Sequence, residues 1–149
     1  GALRLISDLP EHFLVMNGDI LTDLDFAAFH DAHVAAGSLF TISSYCREQS
    51  IDYGVLETDS RRCLAGFREK PKTEYEVSMG VYMVSRKVVD VVPVGRPFGF
   101  DNLMLGLIAA KLEVAVRSFD GYWLDIGRPD DYLKAIEEFD AMKSRFIDG

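Results

Sequence analysis

FLVMNGD, residues 13–19, decides how the rest of this chain is read. Phe13, Leu14, Val15 and Met16 run apolar without alternation, which predicts a strand covered on both faces at the centre of a parallel sheet. Asn17 and Gly18 break that strand. Gly18 lets the backbone turn sharply and approach a ligand closely, which would deliver Asp19 to the carboxyl edge of the sheet, where open α/β folds bind ligands. The same triplet also reads as a plain turn in which Asp19 caps the next segment. Far down the chain Trp123, Leu124, Asp125, Ile126 and Gly127 repeat the scheme of apolar strand end, aspartate and glycine. Two aspartates at neighbouring strand ends would make a hard, oxygen-lined site suited to Mg²⁺.

Composition narrows the setting. The 149 residues are 48% hydrophobic and 27% charged, enough for one globular domain with a real core. No apolar run approaches a membrane span and no signal-peptide pattern opens the sequence, so a soluble, cytoplasmic protein is expected. The formal net charge of −8 argues against nucleic acid or an anionic membrane as partner, and any phosphate substrate must meet local positive charge. Cys46 and Cys63 are too few and too far apart for a disulfide framework or a zinc site, and read as reduced core or near-core thiols.

Residues 1–9 read as the end of a helix stopped by Pro10, with no cap or strand before it, which suggests a piece of a longer protein. Thr22 or Asp23 can cap a helix over 25–36 that buries Leu24, Phe26, Phe29 and Val34 and stops at Gly37. A strand over 39–45 completes a β-α-β unit with parallel strands. Segments 53–58 and 63–69 read as an antiparallel hairpin turning at Asp59, Ser60 and Arg61, followed by a strand over 76–84. A short helix at 86–92 and a Gly/Pro-rich loop at 93–99 lead to a helix capped by Asp101 and running to Lys111. Strands over 113–119 and 122–126 precede a final helix that starts at Pro129 and carries Tyr132, Leu133, Ile136, Phe139 and Met142 on one side.

Four more positions are candidates for chemistry. Glu69 can accept hydrogen bonds from sugar hydroxyls while Lys70, on the other face of an extended chain, holds a phosphate; an exposed ion pair is the plainer reading. Gly54 and Gly80 would let a sugar ring lie against bare backbone, or would mark a bend or bulge. His30 and His33 share a helix face and read as solvent-edge residues rather than metal ligands. Trp123 reads as packing beside the site. No GxSxG, Walker loop or placed Cys–His pair supports nucleophilic catalysis.

In sum NGD at 17–19, YGV at 53–55, EKP at 69–71, MGVY at 79–82 and WLDIGRPDDY at 123–132 resemble the motifs of the sugar-phosphate nucleotidyltransferase family, in the family's order and over almost the whole chain. Within it, the resemblance is to mannose-1-phosphate guanylyltransferase-like enzymes. It implies an α/β, Rossmann-like, three-layer α/β/α fold with a mixed, mostly parallel sheet and a small antiparallel hairpin region. It further implies transfer of a nucleoside monophosphate from an NTP, GTP being favoured, to a sugar 1-phosphate, with release of pyrophosphate. Asp19 and Asp125 would hold Mg²⁺ and Lys70 the sugar phosphate. Glu69, Gly54 and Gly80 would line the sugar pocket, and Asn17 and Gly18 would touch substrate.

The family's glycine-rich GGxGTRLxPLT signature is absent. Gly1-Ala2-Leu3 resembles the tail of the family's LGTAGAL-type segment, which leaves Gly1 as the position assigned to the nucleotide cofactor. Residues 1–149 are thus expected to form a single partial domain that keeps the sugar-phosphate and metal side, with little activity alone and apolar sheet surface prone to self-association. Two other classes remain open: a non-catalytic scaffold module of the same fold, and a metal-dependent glycosyltransferase, although the latter's DxD element is not found around Asp19.

Overall fold

The computed structural model describes residues 2–93, 98–127 and 129–147. In chain order they form β1 (His12–Met16), β2 (Ile20–Thr22), α1 (Phe26–Ala35), β3 (Phe40–Ser50), β4 (Val55–Thr58), β5 (Leu64–Arg68), β6 (Lys72–Ser85), α2 (Phe100–Ala109), β7 (Val114–Phe119), β8 (Trp123–Asp125) and α3 (Pro129–Ile147). Short 3₁₀ helices cover Ala2–Leu5 and Arg86–Val91. The loop expected over 93–99 lies largely outside the described residues.

The main sheet has the order β1-β6-β3-β7. β6 runs antiparallel to both β1 and β3, and β3 runs parallel to β7, so β1, β3 and β7 share one direction. The expected parallel relation of the first two long strands holds, but β6 lies between them. β1 is therefore not a central strand. It has one neighbour in this sheet, and Leu14 and Met16 stand 36% and 41% exposed while Phe13 is buried. An unalternating apolar run of four residues carries no information about which strand pairs with it, and β6, almost seventy positions away, supplies that pairing.

β6 also separates the two halves of the core. Tyr82 and Val84 face Phe13, Phe40, Val88, Leu103 and Leu107 on the α2 side, while Met79, Val81 and Met83 face Phe29 of α1 on the other. Helices on both faces of a mixed sheet make the three-layer α/β/α arrangement. Ile42 pairs with Tyr82 and Ser44 with Ser78, so two steps along β3 face four along β6. Gly80, at φ +76°, sits in this bulge. β3 and β6 run further than their apolar content predicts, because their polar ends pair with each other, with Lys72 Nζ 2.8 Å from Glu48 Oε1.

Several local expectations shift. Asp25 caps α1, its Oδ1 accepting the Ala28 N–H at 2.9 Å, and Gly37 at φ +62° ends the helix as expected. Gly99 rather than Asp101 precedes α2. Cys46 and Cys63 are both exposed, because Cys46 lies on the polar extension of β3 and Cys63 in the hairpin turn. On α3 Ala135 is buried, and Tyr132, Leu133 and Ile136 are more than half exposed, since the short β2–β8 pair offers the helix little surface.

His33 is the largest departure. It is wholly buried rather than at the solvent edge, and its ring joins elements that the sequence leaves unconnected. Its Nε2 lies 2.9 Å from His12 Nδ1 at the start of β1, and its Nδ1 lies 2.7 Å from Thr41 Oγ1 on β3. Burial, and then the neighbouring His12 and His30, push the His33 imidazole down to about 4. The unfolded chain thus binds a proton near pH 6.5 that the folded chain refuses until about pH 4, so stability is full above pH 6.5 and falls as pH drops through this window. Urea unfolding of the unaltered chain at pH 7 and pH 5 should differ by about 2 kcal/mol on this account. In His33→Gln that difference should disappear, leaving only the carboxylate background.

Candidate functional site

The two aspartates singled out in the sequence meet. β2 and β8 pair antiparallel with Ile20 opposite Asp125 and Thr22 opposite Trp123. The Ile126 N–H then donates to the Asp19 carbonyl at 2.8 Å, closing the pair at the end where both acids sit. Leu124, between Trp123 and Asp125, is buried, and the period-two alternation of a strand sends Asp125 and Trp123 to the opposite face.

Gly127 forms the floor beneath the two carboxylates. A Cβ built there would lie 2.5 Å from Asp19 Oδ2 and 3.2 Å from Asp125 Oδ1, so both side chains reach over the one position that carries no side chain. The Gly127 N–H donates to Asp125 Oδ1 at 3.2 Å and fixes that carboxylate's rotamer. Asp19 is exposed and Asp125 half-buried. Among the described residues no group of three or more His, Cys, Asp and Glu side chains gathers into a metal cage. Two convergent carboxylates with solvent access fit a cation of the Mg²⁺ type, which keeps most of its shell for water and substrate oxygens. Zinc or copper would call for nitrogen or sulfur donors that this site does not provide, whereas Mn²⁺ shares the preference of Mg²⁺ for oxygen ligands.

Asn17 and Gly80, both expected to contact substrate, contact each other. The Asn17 N–H donates to the Gly80 carbonyl at 2.9 Å, and a Cβ on Gly80 would lie 2.7 Å from Asn17 Nδ2. The room that Gly80 creates is thus taken up by Asn17, whose turn through Gly18 leads directly to Asp19. Trp123 secures the other side, its indole N–H donating to the Met79 carbonyl at 3.0 Å while Tyr45 packs 5.3 Å from its ring.

Gly54, Glu69 and Lys70 lie apart, on the β4–β5 hairpin. A Cβ at Gly54 would meet the Phe67 ring at 2.6 Å and Glu69 Oε2 at 3.2 Å, so Gly54 and Glu69 are neighbours. β5 ends at Arg68, and Lys70 has φ +42°, so Glu69 and Lys70 do not alternate along an extended strand as expected. Among the described residues no hydrogen bond or ion pair joins this group to the Asp19–Asp125 end. Gly1 lies outside the described residues.

Asp23, a third acid near β2, has a different task that the sequence does not signal. Its Oδ1 accepts the Tyr122 N–H at 2.6 Å and its Oδ2 takes the Arg145 guanidinium, which ties α3 to the strand pair. Burial and the bond it donates to Glu138 Oε2 at 3.0 Å push the Tyr122 hydroxyl up to about 12.

A family model described as Nucleotidyl transferase matches residues 2–141. The chain belongs to the nucleotidyl transferase family. It is 29% identical to the mannose-1-phosphate guanylyltransferase catalytic subunit beta of Drosophila pseudoobscura pseudoobscura, covering 89% of this chain and 36% of that protein. It is 32% identical to the UTP–glucose-1-phosphate uridylyltransferase of Synechocystis sp., covering 91% of this chain and 38% of that protein. The chain thus spans well under half the length of these curated relatives. Among solved structures, HddC from Yersinia pseudotuberculosis superposes with a TM-score of 0.61 at 27% identity, over 93% of this chain and 59% of that one. A second HddC structure is a complex with GMP-PN. Both solved neighbours fit the three-layer α/β fold described above.

Among the described residues no helix is long and apolar enough to cross a membrane. The floor at Gly127 yields a direct check. In Gly127→Ala the added methyl should displace the Asp19 carboxylate and weaken Mn²⁺ binding about tenfold, about 1.4 kcal/mol, in an electron paramagnetic resonance titration. The thermal midpoint should stay within about 2 °C, because Gly127 is exposed.

Proposed function

We propose that this chain is the sugar-phosphate and metal side of an enzyme that transfers a nucleoside monophosphate from an NTP to a sugar 1-phosphate and releases pyrophosphate. The convergence of Asp19 and Asp125 over Gly127, in a member of the nucleotidyl transferase family, is the observation that carries this reading. The guanylyltransferase named among its relatives favours mannose 1-phosphate and GTP, and the uridylyltransferase beside it keeps the pair glucose 1-phosphate and UTP within the same class.

Asp19 and Asp125 would hold Mg²⁺. When bound, such an ion neutralises charge on the phosphates and orients them. The protein's own contribution is alignment, because phosphoryl-type transfer leaves little covalent chemistry to the enzyme. β2 and β8 fix the two carboxylates side by side, and the Gly127 N–H holds one of them in place. Glu69 on the hairpin would accept hydrogen bonds from sugar hydroxyls, with Gly54 beside it, and Lys70 would meet the sugar phosphate. Asn17 supports the Asp19 turn against Gly80.

Isothermal calorimetry of the chain with α-D-mannose 1-phosphate tests this reading. Saturable binding is expected in Mg²⁺, weakened at least tenfold by chelator and by Asp125→Asn. Binding that is indifferent to both, or absent at millimolar ligand, refutes it.

A further inference from the structure

Arg47 lies in the polar extension of β3, and sequence reasoning assigns it no role. Its guanidinium carbon sits 5.7 Å from the centre of the Trp123 ring, on the ring two residues before Asp125 on β8. Its Nη2 lies 3.4 Å from Asp131 Oδ2 in the first turn of α3. The Arg47 side chain is 39% exposed and that of Asp131 15%, and at 3.4 Å their contact is longer than a well-formed charge-assisted hydrogen bond. Asp131 is therefore a partner that a better-matched anion can replace.

Arg47 also lines a groove of about 610 Å³, together with Gln49, Ser50, Tyr75 and Val77. The groove follows the ribbon formed by the extensions of β3 and β6. At one end of that ribbon the Ile51 N–H meets the Pro71 carbonyl at 3.2 Å, where the hairpin bearing Gly54 and Glu69 begins. At the other end Tyr45 packs on Trp123 and leads to Asp125. Among the described residues lining the groove Arg47 is the one cation. The two glutamates there are engaged, Glu48 by Lys72 Nζ at 2.8 Å and Glu76 by the Ser44 hydroxyl at 2.7 Å.

We propose that Arg47 is an anion-binding residue of the acceptor subsite, exchanging the Asp131 carboxylate for the phosphate of a sugar 1-phosphate lying in the β3–β6 groove. The inference rests on the nucleotidyltransferase reading and adds to it a residue and a place for the acceptor. A guanidinium suits the task because its planar fork can donate two parallel N–H bonds to a phosphate while its face stays on the indole. The phosphate then lies on Arg47, between the hairpin that carries Lys70 and the Trp123–Asp125 end of the ribbon.

The competing role for Arg47 is a clamp that merely ties α3 to β3. The two roles predict opposite behaviour when Asp131 is neutralised. Trp123 is the single tryptophan of the chain, so its fluorescence reports Arg47 moving over its ring. Titration of the chain with α-D-mannose 1-phosphate in Mg²⁺ should give a saturable change in Trp123 emission. Arg47→Gln, which keeps part of the stem, should weaken binding at least tenfold by calorimetry and abolish the emission change. Asp131→Asn should bind as tightly as the unaltered chain or two- to fivefold more tightly. The inference is overturned if Arg47→Gln binds within twofold of the unaltered chain, or if Asp131→Asn weakens binding as much as Arg47→Gln does. Loss of binding in Asp125→Asn with Arg47→Gln unaffected removes Arg47 alone and leaves the nucleotidyltransferase reading standing. Absence of any Mg²⁺-dependent titration in the unaltered chain removes both.

Discussion

The arrangement depends on the register of a very short strand pair. β2 and β8 are three residues each, yet they place two acids more than a hundred positions apart on one edge. A slip of one residue would turn Asp125 into the core and Leu124 out to solvent. Three contacts forbid that slip: Leu124 is buried, the Trp123 indole is bonded to Met79, and the Ile126 N–H is bonded to Asp19. Burial of one leucine and two hydrogen bonds thus convert a distant sequence relation into a spatial one.

β6 supplies the second constraint. Its alternation divides the core between α1 and α2, and its bulge at Gly80 opens the space that Asn17 enters. A positive φ within a strand costs little at glycine and on the order of 1–2 kcal/mol at other residues. The bulge therefore links core packing to the turn that delivers Asp19. A change in β6 would be felt at the carboxylates without touching either of them.

What the sequence made legible was local. The aspartate–glycine strand ends, the hairpin with its turn at Asp59, the Gly37 stop and the start of α3 at Pro129 each depend on a few adjacent residues, and each stands close to where it was expected. Asp59 shows why, since its Oδ1 accepts both the Arg61 and Cys63 N–H groups at 2.9 Å and its own backbone bonds to Arg62 and Cys63 close the same turn. What escaped was non-local. The edge position of β1 follows from β6, and the burial of His33 follows from His12 and Thr41 on two different strands. The extra length of β3 and β6 comes from polar residues pairing with polar residues, such as Glu48 with Lys72, a pattern that single-strand hydrophobicity does not register. At the site, the Asp19–Asp125 meeting was legible because both acids carry the same flanking signature. The dual contact of Arg47 was not, because Trp123 and Asp131 reach it from separate elements.

The chain's acidity sharpens the division of labour among its aspartates. With a net charge of −8, a phosphate approaching this edge meets repulsion unless each acid has a defined counterpart. Asp23 is held by Arg145 and the Tyr122 N–H, and Asp131 faces Arg47. These pairings differ in strength for a physical reason. Asp23 takes two guanidinium nitrogens and a backbone donor together, whereas the Arg47–Asp131 contact is long and Arg47 lines a groove. The tight pair suits the anchoring of α3, and the loose one suits exchange with a ligand. Asp19 and Asp125 instead converge on each other over Gly127, an arrangement of like charges that is costly by itself and that a bound divalent cation would make favourable.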